Sequence, residues 1–382
     1  MVKIQHKGAK TYGELVSCVV ESLGFEPLLK DSKRILIKPN LVTAKTASEG
    51  VTTDVELIRH LVEAIHRISN AEIVVGESSL LDTEGVFKYL NVCALEKFGC
   101  RVENFDKGDW VEVRSPFSLL FKNFLIPRTA YESDVIINLA KMKTHELTGV
   151  TLGIKNFFGL LSGGGRKYAH ICDINKGIVD VYSYFECNKI VVSIIDALVA
   201  LSGRSGPIVG TPVKLDCLVA GANTVLCDAA AVRIMGAEPM QIEHIRIAAE
   251  VLGVDIHGMQ VDGGISRAEF ELPLITDREL FNAGVWLLRK VFYKYPVQKD
   301  PQLCTSCRRC ENLCPRDLVT IKNGTFGYAS SDCVHCLCCV EACNTGAITY
   351  KIRNEFLFLL LRGCWRVLKA LRKYKNKFFI RR

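Results

Sequence analysis

The sequence predicts an α/β fold: a large domain on a mostly parallel sheet, then a small α+β domain organised around cysteines, then a C-terminal amphipathic helix. Three observations predict it. Strand-like and helix-like segments alternate from the start of the chain to about residue 275, the pattern of helices laid over a parallel sheet. Eight cysteines recur beyond residue 300 in two runs of one spacing. The segment 351–382 holds eleven Lys or Arg against a single acid, Glu355.

Composition bounds the rest. A chain of 382 residues, 49% of them hydrophobic, suits two or three packed domains. The net charge is +8, but the tail alone carries +10 and the remainder about −2. A nucleic-acid partner is therefore not expected, because such a protein spreads its positive charge over a folded face. Of the seventeen cysteines, eight lie in the two runs. The others (Cys18, Cys93, Cys100, Cys172, Cys187, Cys217, Cys227, Cys338 and Cys364) are scattered through apolar or helical stretches and read as free thiols. The opening Met-Val-Lys-Ile-Gln-His-Lys has no signal-peptide core. The expected compartment is the cytoplasm.

The elements of the large domain follow in order. Arg34-Ile-Leu-Ile-Lys-Pro-Asn-Leu-Val reads as a buried strand ended by Pro39. Thr52, Thr53 or Asp54 can cap a helix over 55–68, apolar at 57, 58, 61, 62, 65 and 68. A strand over 71–76 and a helix over 86–98, ending at Gly99, come next. Further strands fall at 134–140, 189–196 and 213–221, and helices at 224–235 and 240–252. A helix over 280–293 and the linker Tyr295-Pro-Val-Gln-Lys-Asp-Pro lead into the cysteine domain. The predicted domains are 1–275, a helical linker over 276–295, 296–352, and a basic tail over 353–382.

In parallel sheets ligands sit beyond the C-terminal ends of strands. The polar residues there are Lys38 and Asn40, Glu77 and Ser78, Asn138 through His145, and Asp196. The densest group is Lys141-Met-Lys143-Thr-His145, followed by Gly153-Ile-Lys155-Asn156-Phe-Phe-Gly159 and Ser162-Gly-Gly-Gly-Arg166-Lys167. Lysines and a glycine-rich backbone can present charge and N–H groups to an anion. Lys38, Asn40, Lys141, Lys155, Asn156 and Arg166 are the candidate substrate-binding residues, and Lys143 and His145 the candidate proton donors. The bland alternative is a solvated loop whose lysines point to water. Neither a P-loop nor a dinucleotide fingerprint is present.

Taken together, Lys38-Pro-Asn40, Lys141-Met-Lys143-Thr-His145, Thr151-Leu-Gly-Ile-Lys155-Asn156-Phe-Phe-Gly159, Gly206-Pro-x3-Gly210 and Leu226-Cys-Asp228-Ala resemble the domain-of-unknown-function family 362 over about residues 30–240. The resemblance implies a cytoplasmic iron–sulfur protein. It supplies no substrate and no catalytic roles.

The cysteine runs are Cys304-x2-Cys307-x2-Cys310-x3-Cys314-Pro and Cys333-x2-Cys336-x2-Cys339-x3-Cys343-Asn. This spacing resembles the bacterial two-cluster ferredoxins, in which the fourth cysteine of each run reaches the other cluster. The resemblance implies one [4Fe–4S] cluster on Cys304, Cys307, Cys310 and Cys343, and a second on Cys333, Cys336, Cys339 and Cys314. Structural zinc is the rival, but it needs four ligands and has no use for a third and fourth cysteine written twice. The runs repeat at 29 residues, which places Cys338 opposite Arg309 as a non-ligand. Between them, Asn323-Gly324 marks a hairpin turn.

In the tail, Arg362, Arg366, Lys369 and Lys373 share one helical face and Leu360, Leu361, Cys364, Val367, Leu368, Leu371 and Tyr374 the other. Such a helix either lies on an anionic membrane surface, at the inner face of the membrane, or docks on the protein itself. Its apolar run is too short to span a bilayer.

Three functions fit these features. The first is an oxidoreductase that takes electrons from a soluble donor and delivers them to an anionic substrate, with an additional flavin or other organic cofactor left open. The second is a ferredoxin-type carrier that exchanges electrons with a soluble donor or acceptor and has no substrate of its own. The third is a ligand-binding protein with structural or sensory clusters.

Overall fold

The computed structural model describes residues 1–24, 26–80, 82–273 and 294–354. The chain divides into two compact units, Met1–Arg278 and Glu279–Arg382. The helix expected over 280–293 and the tail over 355–382 lie outside the described residues.

The first unit is the expected α/β domain. Its strands are β1 (Val2–His6), β2 (Arg34–Pro39), β3 (Glu72–Glu77), β4 (Arg101–Asn104), the separate hairpin of β5 (Trp110–Arg114) and β6 (Asn123–Pro127), then β7 (Val135–His145), β8 (Gly149–Thr151), β9 (Ile190–Ser202), β10 (Thr211–Gly221) and β11 (Val261–Asp262). The main sheet runs β11-β1-β10-β9-β7-β2-β3-β4, with β8 bonded to β7. Strands β4, β3, β2, β7 and β9 are parallel. β10 is antiparallel to both β9 and β1.

Helices cover both faces. On one, Tyr12–Ser22 and Val55–His66 press apolar stripes onto Ile35, Ile37, Val135, Ile137, Leu139, Val192 and Ile194. Complete burial of each such side chain contributes roughly 1.5–3 kcal/mol. Asp54 caps the second helix by accepting from the Glu56 N–H at 3.0 Å. On the other face, Thr224–Ile234 and Ile174–Asn188 pack against β9. Asp180, within the latter helix, is fully buried and accepts from the Ser115 hydroxyl and from the N–H groups of Leu119, Leu120 and Phe121 at 2.6–2.9 Å. That carboxylate fixes the turn between β5 and β6.

Several expectations are corrected. The helix read over 86–98 starts at Thr83, capped by Asp82, and ends at Leu90. Asn91 takes a left-handed backbone (φ 56°), which no α-helix passes through, and a 3₁₀ turn carries the chain on to Gly99. The strand read over 134–140 continues to His145, because β8 folds back on its polar end and β9 supplies an acid beside it. The glycine-rich stretch is no solvated loop: Ser162 caps a helix, Gly163–Ile171, accepting from the Gly165 N–H at 3.3 Å. The strand β1 has no counterpart in the sequence reading; Val-Lys-Ile-Gln-His alternates over too few residues to stand out.

Gly50 illustrates how packing sets up the site. It sits at φ 73°, and a Cβ there would lie 2.4 Å from the Ala200 carbonyl oxygen. The Gly50→Ala variant is expected to lose about 2–3 kcal/mol of stability through backbone strain and displacement of β9. A thermal midpoint equal to that of the parent protein would contradict this.

The second unit repeats itself at the interval read from the cysteines. Its strands are β12 (Lys294–Gln298), β13 (Val319–Lys322), β14 (Thr325–Tyr328) and β15 (Ile348–Ile352). β12 pairs with β15 and β13 with β14, so each two-stranded sheet takes one strand from each half. Tyr295 to Gln298, expected to be linker, is therefore strand. Short helices Arg309–Asn312 and Cys338–Glu341 occupy equivalent places. So do the left-handed residues: Ser306 and His335, Arg308 and Leu337, Asp317 and Gly346. The Asn323-Gly324 hairpin turn is present, with both residues at positive φ.

Candidate functional site

The sheet reverses its strand order between β2 and β7. From β2 the chain moves outward to β3 and β4; from β7 it moves the other way to β9. A crevice at the C-terminal ends of two such strands is where open α/β sheets bind ligands. Lys38 lies at the end of β2 and Asn40 just beyond it, and Lys141, Lys143 and His145 end β7.

Strand geometry distributes these side chains. Lys38, Asn138 and Ser193 lie side by side on β2, β7 and β9. Successive residues of a strand alternate faces, so Asn138 and Lys141 leave β7 on opposite sides; the pairing with β9 shifts between Lys141 and Lys143. Two asparagines bridge the edge. Asn156 donates to the Lys38 carbonyl at 3.0 Å and to Asn138 Oδ1 at 2.8 Å, and accepts from Asn40 Nδ2 at 3.0 Å. Asn138 donates in turn to the Gly153 carbonyl and to Ser193 Oγ, both at 3.0 Å. Asp228 accepts from the Gly153 and Ile154 N–H groups at 2.7 and 2.9 Å, so it caps a neighbouring helical turn; Asn223 caps its own helix. Burial, opposed by those two bonds, pushes the Asp228 carboxyl up to about 7.

The lysines fall into two kinds. Lys38 pairs with Glu77 at 2.7 Å and Lys141 with Asp196 at 2.8 Å, all four side chains buried. Burial lowers the Lys38 pKa, and the Glu77 charge opposes that shift. Glu77 also accepts from the Leu41 and Ser78 N–H groups at 2.9 and 2.8 Å. Lys143 is different. It is 1% exposed, and its Nζ donates to Asn40 Oδ1 at 2.8 Å and to the Val51 carbonyl at 2.7 Å. Among the described residues no carboxylate pairs with it. Burial and the charges of Lys155 and Lys141 hold its pKa well below that of a free lysine.

Lys155 is partly exposed, and its ammonium lies 5.4 Å from the centre of the Phe158 ring. Burial and the Arg166 charge lower its pKa to about 8. Arg166 is anchored by the Ser78 carbonyl and hydroxyl at 3.1 and 2.6 Å and lies 3.8 Å from Asp106. His145 is buried; its Nδ1 accepts from the Leu147 N–H at 3.1 Å, which puts the proton of the neutral ring on Nε2. Burial and the Lys155 charge keep it neutral.

The candidate residues Lys38, Asn40, Lys141, Lys143, Asn156 and Asp196 thus interlock in the fold, whereas Lys155, His145 and Arg166 stand around them. The reading of lysines pointing to water does not hold for Lys38, Lys141 or Lys143. Sequence reasoning missed His244, fully buried on the helix Glu243–Leu252. A histidine on the apolar stripe of an amphipathic segment was the only signal.

Lys155 yields a pH prediction. Its folded pKa lies below its unfolded one, so between about 8 and the ordinary lysine value the unfolded chain holds more protons. Stability attributable to this residue therefore rises with pH across that window. The thermal midpoint of the wild type should gain on that of Lys155→Met between pH 8 and 10; parallel curves would refute the assignment.

In the second unit, the Cys310 thiol is raised to about 11 by burial, with the charges of Cys343 and Cys307 adding to it. Cys339 is raised by burial and by Cys336, Cys314, Cys333 and Cys310. The charge of the fourth cysteine of each run thus acts on a cysteine of the other run, Cys343 on Cys310 and Cys314 on Cys339. The Leu318 N–H points at Cys314 Sγ at 3.3 Å and the His335 N–H at Cys333 Sγ at 3.4 Å. Among the described residues, no three His, Cys, Asp or Glu close on a single metal ion. A cube asks instead for thiolates spread over different irons.

Fold and sites together define an α/β protein with a buried polar cluster at its topological switch point and an iron–sulfur domain of ferredoxin type. The chain belongs to the family described as domain of unknown function DUF362, whose model matches residues 35–233. It is 25% identical over 263 residues to the thylakoid-associated protein sll1697 of Synechocystis sp., covering 67% of this chain and 77% of that one. Its C-terminal part is 38% identical over 52 residues to ferredoxin-1 of Rhodobacter capsulatus, covering 12% of this chain and 80% of the ferredoxin. The ferredoxin of Methanothermococcus thermolithotrophicus is 39% identical over 58 residues, 15% of this chain and 90% of that one. Among solved structures, the lactate racemase apoprotein of Thermoanaerobacterium thermosaccharolyticum aligns with a TM-score of 0.36 and 12% identity, over 66% of this chain and 57% of that one. A Thermotoga maritima protein aligns with a TM-score of 0.37 and 14% identity, over 63% of this chain and 58% of that one.

Proposed function

We propose that the protein is an oxidoreductase that passes electrons from a soluble donor through two [4Fe–4S] clusters to an anionic substrate held in the α/β unit. Cys304, Cys307, Cys310 and Cys343 would hold one cluster, and Cys333, Cys336, Cys339 and Cys314 the other. The clusters supply one-electron transfer. The substrate reading rests on Lys143, a fully buried lysine with only neutral oxygens for partners. An unpaired buried cation is costly to the fold, and its retention is understandable where a bound anion completes the charge balance. Lys155 and Arg166 add positive charge; of the two candidate proton donors, Lys143 has an N–H made more acidic by burial, whereas the neutral His145 would offer its Nε2–H as a hydrogen bond.

The test is anaerobic. Reduced, fully loaded protein is mixed with small carboxylates and phosphorylated compounds, and cluster absorption is followed. An anion that reoxidises the clusters in the wild type but not in Lys143→Met supports the proposal. Reoxidation only by other electron carriers, equal in both proteins, supports the ferredoxin-type carrier instead.

Cytoplasmic placement with peripheral attachment to the membrane is part of the same proposal. The basic C-terminal sequence supports it, as does the similarity to a thylakoid-associated protein. Among the described residues no helix is long and apolar enough to cross a membrane. Removing residues 355–382 should abolish sedimentation with anionic liposomes while leaving iron content unchanged; undiminished sedimentation would end the membrane claim.

A further inference from the structure

Beside the interlocked lysines lie two further buried polar side chains, His244 and Thr151. His244 is 0% exposed, and neither of its ring nitrogens meets a hydrogen-bond partner. The Thr151 hydroxyl, 4% exposed, is also without a partner. Leaving such groups unmatched is costly, and native interiors match nearly all of them.

These groups converge through the fold. Thr151 lies opposite Lys143 in the β7–β8 ladder, and Gly149 opposite His145. A Cβ on Gly149 would stand 3.1 Å from Ile242, two residues before His244. The helix Glu243–Leu252 packs against the helical turn Gly153–Asn156, which carries Lys155. The Lys155 charge lowers the pKa of Lys143, His145 and His244 alike. Among the described residues Lys155 pairs with no carboxylate. The helix of His244 is tethered by Glu243, whose carboxylate accepts from Asn175.

Resting on the anionic-substrate reading above, we propose that Lys155, His244 and Thr151 form the subsite for the substrate's oxyanion, a carboxylate or phosphoryl group. Lys155 supplies the charge. The neutral imidazole of His244 and the Thr151 hydroxyl supply directional hydrogen bonds, and His145 borders the same space. A subsite built from one charge and neutral donors favours an oxyanion over a halide, because it rewards oxygen lone pairs as well as charge. It also separates two roles: Lys143 sets the charge balance, and His244 selects the ligand.

The experiment uses the full, cluster-loaded chain and two probes, inorganic phosphate and succinate, in titration calorimetry. The wild type is expected to bind at least one of them, and His244→Phe, which keeps the ring volume but removes both nitrogens, to bind it at least tenfold more weakly. The His244→Phe thermal midpoint should equal or exceed that of the wild type, since an unmatched buried imidazole is replaced by an apolar ring. His244→Gln should restore part of the affinity. On the wild type alone, acylation of Lys155 by an amine reagent at pH 8 should be slowed by the same probe. Undiminished binding by His244→Phe, or no protection of Lys155, overturns the subsite. If binding falls in Lys143→Met but not in His244→Phe, the anionic crevice stands and the His244 assignment fails. If the wild type binds neither probe, the subsite fails whatever the reoxidation test shows.

Discussion

Lys143→Met and Lys141→Met are expected to change stability in opposite directions although the two residues stand two positions apart on β7. Lys141 is paired with Asp196 at 2.8 Å, and both are buried. Removing the ammonium leaves a buried carboxylate whose remaining partners are the N–H groups of Asp54 and Leu198. Breaking one side of a buried pair costs roughly 3–5 kcal/mol. Lys143 has only the Asn40 amide oxygen and the Val51 carbonyl. A methionine of similar length there removes a desolvated charge and leaves two acceptors unmatched. We expect the protein to gain about 1 kcal/mol or stay level, because the charge costs more to bury than either neutral acceptor. Anion-dependent reoxidation should nevertheless be lost. Equal destabilisation in both variants would show that Lys143 is a structural residue and not one retained for a ligand.

The second large effect concerns the cysteines. Cys343→Ser lies in the second run, yet it should disable the cluster centred on the first. Cys314→Ser should do the converse. Each variant should retain about half of the roughly eight irons that two cubes contain, or lose stability throughout the domain, since so small a unit depends on its metal. The decisive comparison is Cys338→Ser, which should leave iron content and spectrum unchanged. Cys338 is buried beside Cys336 but occupies the place that Arg309 has in the other half. Loss of iron in Cys338→Ser would require a different ligand set.

Much of this was legible in the sequence because the signals were periodic. Alternating apolar segments showed the parallel sheet, and the repeated cysteine spacing showed a two-fold domain, down to the Asn323-Gly324 turn. The candidate residues Lys38, Asn40, Lys141, Lys143 and Asn156 were found because polar residues on strand ends are conspicuous. What they do was not legible. Alternation along β7 does not reveal that Lys141 meets an acid and Lys143 does not. That difference arises from register, which sets Lys141 opposite Asp196 before the pairing shifts at the next residues. His244 was hidden for the opposite reason: on a helix, a buried histidine looks like one more member of an apolar stripe. The helix break at Asn91 escaped notice because a single left-handed residue leaves hydrophobic spacing nearly intact.

The place of β1 bears on how the chain matures. It lies inside the sheet, joined to Cys217–Ala220 on one side and to Val261 and Asp262 on the other. During synthesis β1 must wait, both edges bare, until those far later residues emerge. Closing so long a loop is slow, and a bare strand edge invites pairing with other chains. A chaperone that shields Val2–His6 on the nascent polypeptide should therefore raise the yield of folded protein more than one acting after release.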